Sequence, residues 1–250
     1  MAYENFADSY DLFMDTVPYD EWSENIISIL NKNNIYNGLV AELGCGTGQI
    51  TRRLAGAGFD MTGIDLSYEM LMKAMNYDDT GEILYLCQDM REFELYGTMA
   101  AIVSVCDSMN YLTSYDDLVA VLKLANNYLD PKGIFVFDLN TEYKYATFLA
   151  DNTFAENRDF ASFIWENEYD VETKNNYYYL TIYAQNEEGF YDRFEEEHIQ
   201  HAFTIDEVKS AIKDAGMELV EMLDVETMRE PVEDSERVYF VAREHGKEID

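Results

Sequence analysis

Glycine occupies three alternate positions, Gly44, Gly46 and Gly48, in the stretch VAELGCGTGQI from Val40 to Ile50. An acid, Glu42, stands two residues before the first of them. A glycine-rich turn between a strand and a helix lets the backbone approach a ligand closely. Its neighbours exclude two ligand classes. A phosphate-cradling loop needs Gly-x-x-x-x-Gly-Lys-Ser/Thr, and no lysine follows these glycines. The dinucleotide fingerprint needs Gly-x-Gly-x-x-Gly, whereas the third glycine here comes one residue early and Gln49 stands in its place. An NAD-dependent oxidoreductase is therefore opposed by the spacing. Two further acids, Asp65 and Asp89, each follow another apolar run.

The elements that must carry these acids alternate in type. Trp22, Ile26 and Leu30 keep helical spacing after Pro18, and residues 39–43 read as a buried strand. A helix over QITRRLAGAG, a strand over 60–65 and a helix capped by Ser67 follow, the last with Met70, Leu71 and Ala74 on one face. Strands are expected at 82–88, 100–106 and 133–139. Ser114 opens a helix with the stripe Leu118, Val121, Leu122, Ala125 and Leu129, which Asp130-Pro131-Lys132-Gly133 ends. Strands separated by helices of this length pair in parallel through right-handed crossovers. The expected fold class is α/β, a doubly wound Rossmann-like sheet.

After about residue 150 the pattern changes. FASFIWENEY, NNYYYLTIYAQ and GFYDRFEEEHI alternate and are rich in aromatics, with turn signals between them, so they read as antiparallel strands. A helix then opens at the capping box Thr204-x-x-Glu207, and Gly216 stops it before two closing strands. The expected organisation is an α/β domain of residues 1–150 and 201–250. An antiparallel insert of residues 151–200 interrupts it after the fifth strand.

Glu42-Leu43-Gly44-Cys45-Gly46-Thr47-Gly48 closely resembles the first motif of the class I S-adenosylmethionine (SAM) methyltransferases, and the resemblance runs the length of the chain. Gly63-Ile64-Asp65-Leu66-Ser67 resembles the second motif, which implies that Asp65 grips the cofactor ribose. Cys87-Gln88-Asp89-Met90 resembles the third, which implies that Asp89 bonds the adenine amine and Met90 packs on the ring. Val105-Cys106-Asp107-Ser108 falls where carbonyls commonly meet the cofactor's amino acid end. The resemblance implies a seven-stranded sheet and a cofactor contact set of Glu42, Gly44, Cys45, Gly46, Gly48, Asp65, Leu66, Met70, Asp89, Met90 and Cys106. SAM is a cation without phosphates, so it needs carboxylates rather than an anion-binding helix terminus. In one branch of the family a leading helix closes over the cofactor, and Tyr10, Asp11 and Trp22 stand at matching positions. An aromatic face gains cation–π attraction from a sulfonium; packing of the same stripe into the core is the other reading. The insert is similar to that of the glycine and sugar-amine N-methyltransferases, which implies a small-molecule acceptor methylated at nitrogen or oxygen, with S-adenosyl-L-homocysteine as the product.

Methyl transfer is an in-line displacement in which alignment alone contributes on the order of 7–11 kcal/mol. A base is needed only to take a proton from the nucleophile. His198 and His201 are candidates for that base, or else ordinary polar positions on an acidic strand. Tyr111, Asp138 and Asn140 are placed either to contact the acceptor or to cap loops. The Asp/Asn-Pro-Pro-Tyr motif of adenine- and glutamine-methylating enzymes is absent, and so is the Pro-Cys nucleophile of cytosine-C5 enzymes. A His-x-x-His pair without a third ligand does not define a metal site.

Seventeen Lys and Arg against fifty Asp and Glu leave a net charge of −33, a surface that repels nucleic acid and anionic lipid alike. Three cysteines without Cys-x-x-Cys spacing argue against a disulfide framework. No signal peptide or spanning run is visible, and a cytoplasmic enzyme is expected, its oligomeric state left open. The rival readings are a methyltransferase acting on RNA or protein and a non-catalytic SAM-binding regulatory module.

Overall fold

A computed structural model describes residues 13–186 and 188–247. The strands of the first half are β1 (Gly38–Leu43), β2 (Phe59–Asp65), β3 (Leu84–Cys87), β4 (Met99–Ser104) and β5 (Leu129–Asn140). The helices around them are α1 (Tyr19–Lys32), α2 (Gln49–Gly56), α3 (Tyr68–Tyr77) and α4 (Tyr115–Tyr128). After the insert come α5 (Ile205–Asp214), β10 (Glu218–Asp224) and β11 (Arg237–Arg243). One seven-stranded sheet runs β10-β11-β5-β4-β1-β2-β3, parallel throughout except that β11 is antiparallel to both β5 and β10. The expected Rossmann-like methyltransferase sheet is thus present.

The sheet is sandwiched because its strands are apolar on both faces. Val40, Ala41 and Leu43 of β1 have no exposed surface and feed two separate cores, Ala41 and Leu43 facing α4 and α5 while Val40 faces α1 and α2. Each large aliphatic side chain buried in this way contributes about 1.5–3 kcal/mol. The expected caps hold: Ser67 accepts from Met70 N, Ser114 accepts from Asp117 N, and Thr204 and Glu207 close a full capping box.

Two differences from expectation have local causes. The 130–133 turn does not separate α4 from the next strand. Leu129 already pairs with Met99 and Ile134 with Ala101, so the Asp-Pro-Lys-Gly segment bulges out between two paired positions of β5. The insert has four strands, not three: β6 (Thr153–Asn157), β7 (Ala161–Asp170), β8 (Asn175–Gln185) and β9 (Tyr191–His201), in that order. β6 is only five residues long, TFAEN, and lacks the aromatic density that marked its neighbours.

Strand order reverses at β1, which lies between β2 and β4. The crevice of an open α/β sheet opens at such a switch point, beyond the carboxyl ends of the strands. Glu42, the glycine turn, Asp65, Asp89 and Cys106 all lie at that edge.

Candidate active site

One cavity of about 400 Å³ opens at this edge. Its wall includes Glu42, Gly44, Cys45 and Gly46 from the first motif, Asp65 and Leu66 from the second, Met70 from α3, Asp89 and Met90 from the third motif, and Cys106 and Tyr111 beyond β4. Eleven positions read from the sequence are therefore brought together.

The three glycines are there for three reasons. A Cβ on Gly44 would come within 2.5 Å of Ser108 Oγ, so this glycine lets the loop after β4 close against the turn. A Cβ on Gly48 would come within 2.8 Å of the Tyr85 hydroxyl; Gly48 is not part of the cavity wall and serves helix packing instead. Gly46, at φ +53°, has nothing within 4 Å of its Cβ position. A side chain there would project into open space along the wall, as a cradle for a closely held ligand requires.

Asp65 is clamped from two sides. Its Oδ2 accepts from Gly46 N at 2.8 Å and its Oδ1 from Ser67 N at 2.8 Å, which ties the glycine turn to the start of α3. Each oxygen keeps a lone pair for a ligand hydroxyl. Burial pushes its pKa up against those two hydrogen bonds. Glu42, 2% exposed, accepts a hydrogen bond from the Thr51 hydroxyl, and burial, reinforced by the Asp65 carboxylate, pushes its pKa up to about 8. Its ordinary value is 4.5, so between those limits the folded chain holds a proton that the unfolded chain releases, and stability falls as pH rises through that window. Glu42→Gln should flatten this slope, which can reach about 1.4 kcal/mol per pH unit. Chemical denaturation of both proteins at pH 5 through 9 checks it.

Beyond β4 the backbone is strained. Cys106 and Asp107 are consecutive non-glycine residues at φ +60° and +55°. The Asp138 carboxylate, with no exposure, accepts from both of their amides at 3.1 and 2.8 Å. Arg237 bridges the two acids, donating to Asp107 Oδ1 at 2.6 Å and Asp138 Oδ2 at 2.9 Å. Asp138 thus caps the loop. At Asn140 the roles reverse: its backbone N–H donates to Asn110 Oδ1 at 2.9 Å, and its own side chain accepts from Lys144 Nζ at 3.1 Å. The strained turn launches the short 3₁₀ segment Ser108–Tyr111, which carries Tyr111 into the cavity wall.

The insert docks on this segment through the inward face of β9. Gln200 donates to Asp107 Oδ2 at 2.7 Å and accepts from the Tyr145 and Tyr178 hydroxyls. His198 packs edge-on to Tyr111 with ring centroids 5.9 Å apart, and its Nε2 lies 3.2 Å from Glu196 Oε2. His198 is not in the cavity wall; it stands behind Tyr111. His201 is displaced further. Its Nδ1 meets Asn175 Oδ1 across the hairpin at 2.8 Å, its ring rests on Phe203, and burial lowers its pKa.

Trp22 also lies off the wall, its ring covered by the Arg237 guanidinium at 5.0 Å; the aromatic of α1 that reaches the cavity is Tyr19. The two residues share one helical face, so spacing alone did not separate them. Tyr10 lies outside the described residues. Sequence reasoning also missed Arg91, whose only signal is its position two residues after Asp89. Among the described residues no group of three or more His, Cys, Asp or Glu could hold a metal, and no helix is long and apolar enough to cross a membrane.

The acceptor set fits SAM: the Asp65 and Asp89 carboxylates, the Glu42 carboxyl and open backbone line the wall, suited to ribose hydroxyls and a cation. The comparisons agree. The profile of a methyltransferase domain matches residues 40–133. YqeM, a methyltransferase-family protein of Bacillus subtilis (strain 168), is 37% identical over 245 residues, 97% of each chain. The crystal structure of a SAM-dependent methyltransferase from Clostridium acetobutylicum superposes with a TM-score of 0.86 at 29% identity, covering 98% of this chain and 100% of that one. The sugar N-methyltransferase KedS8 from Streptoalloteichus shares the fold, with a TM-score of 0.77 at 18% identity over 95% and 93% of the two chains. With its motifs converging on one cavity and its fold matched from end to end, this chain belongs to the SAM-dependent methyltransferases and is an enzyme of that family.

Proposed function

We propose that this enzyme methylates a nitrogen or oxygen of a small-molecule acceptor that reaches the cavity at Tyr111, beneath the insert. SAM, when bound, supplies a methyl group activated by positive sulfur. In this reading Asp65 takes the ribose hydroxyls, Asp89 the adenine amine, Met90 and Leu66 the ring faces, and the carbonyls near Cys106 the cationic end, where Glu42 gives up its proton to face the positive charge. Tyr111 contacts the acceptor, and the proton that the acceptor gives up passes by way of Tyr111 to His198, which stands behind it, backed by Glu196.

The observation that carries the reading is the docking of β9 on the 3₁₀ segment. Glu196, His198 and Gln200 are all buried on one face of that strand, against the segment that supplies Tyr111. These three pack behind the segment that forms the Tyr111 side of a 400 Å³ cavity, a size suited to a small ligand. The insert of residues 151–200 is accordingly the unit that covers the acceptor. KedS8, named a sugar N-methyltransferase, supports an amine acceptor.

The test is release of S-adenosyl-L-homocysteine from SAM across a panel of small amines and hydroxyl compounds, with bulk RNA and a protein lysate alongside. Turnover on a small amine is the expected result. Methylation of RNA or polypeptide alone would replace this reading, and SAM binding without any turnover would favour the regulatory module. With an acceptor in hand, His198→Ala should lower kcat by about 10²–10⁴-fold and leave SAM affinity unchanged.

A further inference from the structure

We propose that Arg91 is a positioning residue that sets base specificity, by holding Asp89 so that the cavity takes adenine and rejects a base with a carbonyl in place of the amine. The inference rests on the reading that places adenine at Asp89.

The placement follows from the sheet. Asp65 ends β2 in register with Cys87 of β3, and Gln88 N donates to Asp65 O at 3.0 Å. A nucleoside whose ribose meets Asp65 therefore lays its base against the segment leaving β3, where Asp89, Met90 and Arg91 form the wall. There Arg91 engages both oxygens of Asp89. Its backbone N–H and Nε donate to Oδ1 at 2.8 and 3.0 Å, and Nε and Nη2 reach Oδ2 at 3.1 and 2.5 Å. The guanidinium is the outer member of the pair, 49% exposed against 17% for the carboxylate it covers.

A planar guanidinium fork fixes the plane of a carboxylate as a lysine ammonium cannot. It also holds the Asp89 carboxyl below the usual carboxylate range, so this acceptor stays ionised. An ionised, oriented carboxylate accepts from an exocyclic amine. It faces a ring carbonyl with two acceptors opposed, and specificity of this kind depends on leaving the wrong ligand unpaired. Without the guanidinium, the backbone N–H of residue 91 is what restrains the Asp89 carboxylate among the described residues. The carboxylate can then turn toward water, and the difference between amine and carbonyl should shrink.

Calorimetry with S-adenosyl-L-homocysteine and S-inosyl-L-homocysteine tests this without an acceptor. The wild type should prefer the adenine compound by roughly 10²-fold or more, since a site built to hydrogen-bond the discriminating group can reject an analogue lacking it by about 10⁴–10⁵. Arg91→Ala should reduce the preference to less than about threefold, chiefly by weakening the adenine compound, with Arg91→Lys in between because it keeps charge but loses the fork. Thermal melts identify a variant that fails to fold, in which case Arg91→Lys carries the test. A folded variant with the wild-type preference overturns the role of Arg91. Asp89→Asn separates the two layers. If it loses the preference while Arg91→Ala keeps it, only the Arg91 inference fails. If both keep it, the placement of adenine at Asp89 fails with it.

Discussion

Arg237→Met is expected to destabilise the protein by about 3–5 kcal/mol, the usual cost of removing one partner from a buried ionic network. Arg237 is the cation between Asp107 and Asp138, and Asp138 has no exposed surface. Methionine fills much the same volume, so the loss would report charge rather than packing. Burial already pushes the Asp138 pKa up even with the guanidinium present. A carboxyl with a raised folded pKa costs more stability as pH rises above its ordinary value, because the unfolded chain ionises first. The defect of Arg237→Met should therefore be smaller at pH 5 than at pH 8. Adding Asp138→Asn should recover part of the loss, since the carboxylate left behind is then neutral. Urea unfolding of the wild type, the single variant and the double variant at both pH values measures all of this. A deficit under about 1 kcal/mol would mean that the network contributes no more than a surface ion pair.

Asp65→Ala is expected to weaken SAM binding by about 1–3 kcal/mol, the worth of charge-assisted hydrogen bonds to the ribose. The same carboxylate clamps Gly46 N and Ser67 N. Its removal therefore also loosens the glycine turn that borders the cavity, and the loss should fall toward the upper end of that range. Asp65→Asn keeps one acceptor oxygen and should lie between the two. Calorimetry of the three proteins with SAM decides it, and an unchanged affinity in Asp65→Ala would remove Asp65 from the site.

The cavity wall was legible because its residues sit at fixed offsets from strand ends. In a parallel sheet every carboxyl end lies on one edge, so reading Glu42, Asp65 and Asp89 as lying within two residues of the ends of apolar runs was enough to bring them together. The same logic placed Cys106 and Tyr111. Long-range partners carried no such signal. Asp107 meets Gln200 and Arg237, 93 and 130 residues away in the chain, and nothing local to any of them marks the bond. Gly48 fitted the motif, yet its partner is Tyr85 of β3, a contact that periodicity does not encode. The buried face of β9 was the least legible. EEEHIQH reads as an acidic surface strand, and only the docking of β9 on the 3₁₀ segment shows that Glu196, His198 and Gln200 face inward.

The most direct measurement of the central claim is a calorimetric titration of the purified protein with SAM, S-adenosyl-L-homocysteine and NADH, side by side. The cavity between Glu42, Asp65 and Asp89 predicts binding of the first two in the micromolar range, about −8 kcal/mol, and no binding of NADH, whose phosphates would meet carboxylates. Tight NADH binding, or no binding of the SAM pair, would contradict the account.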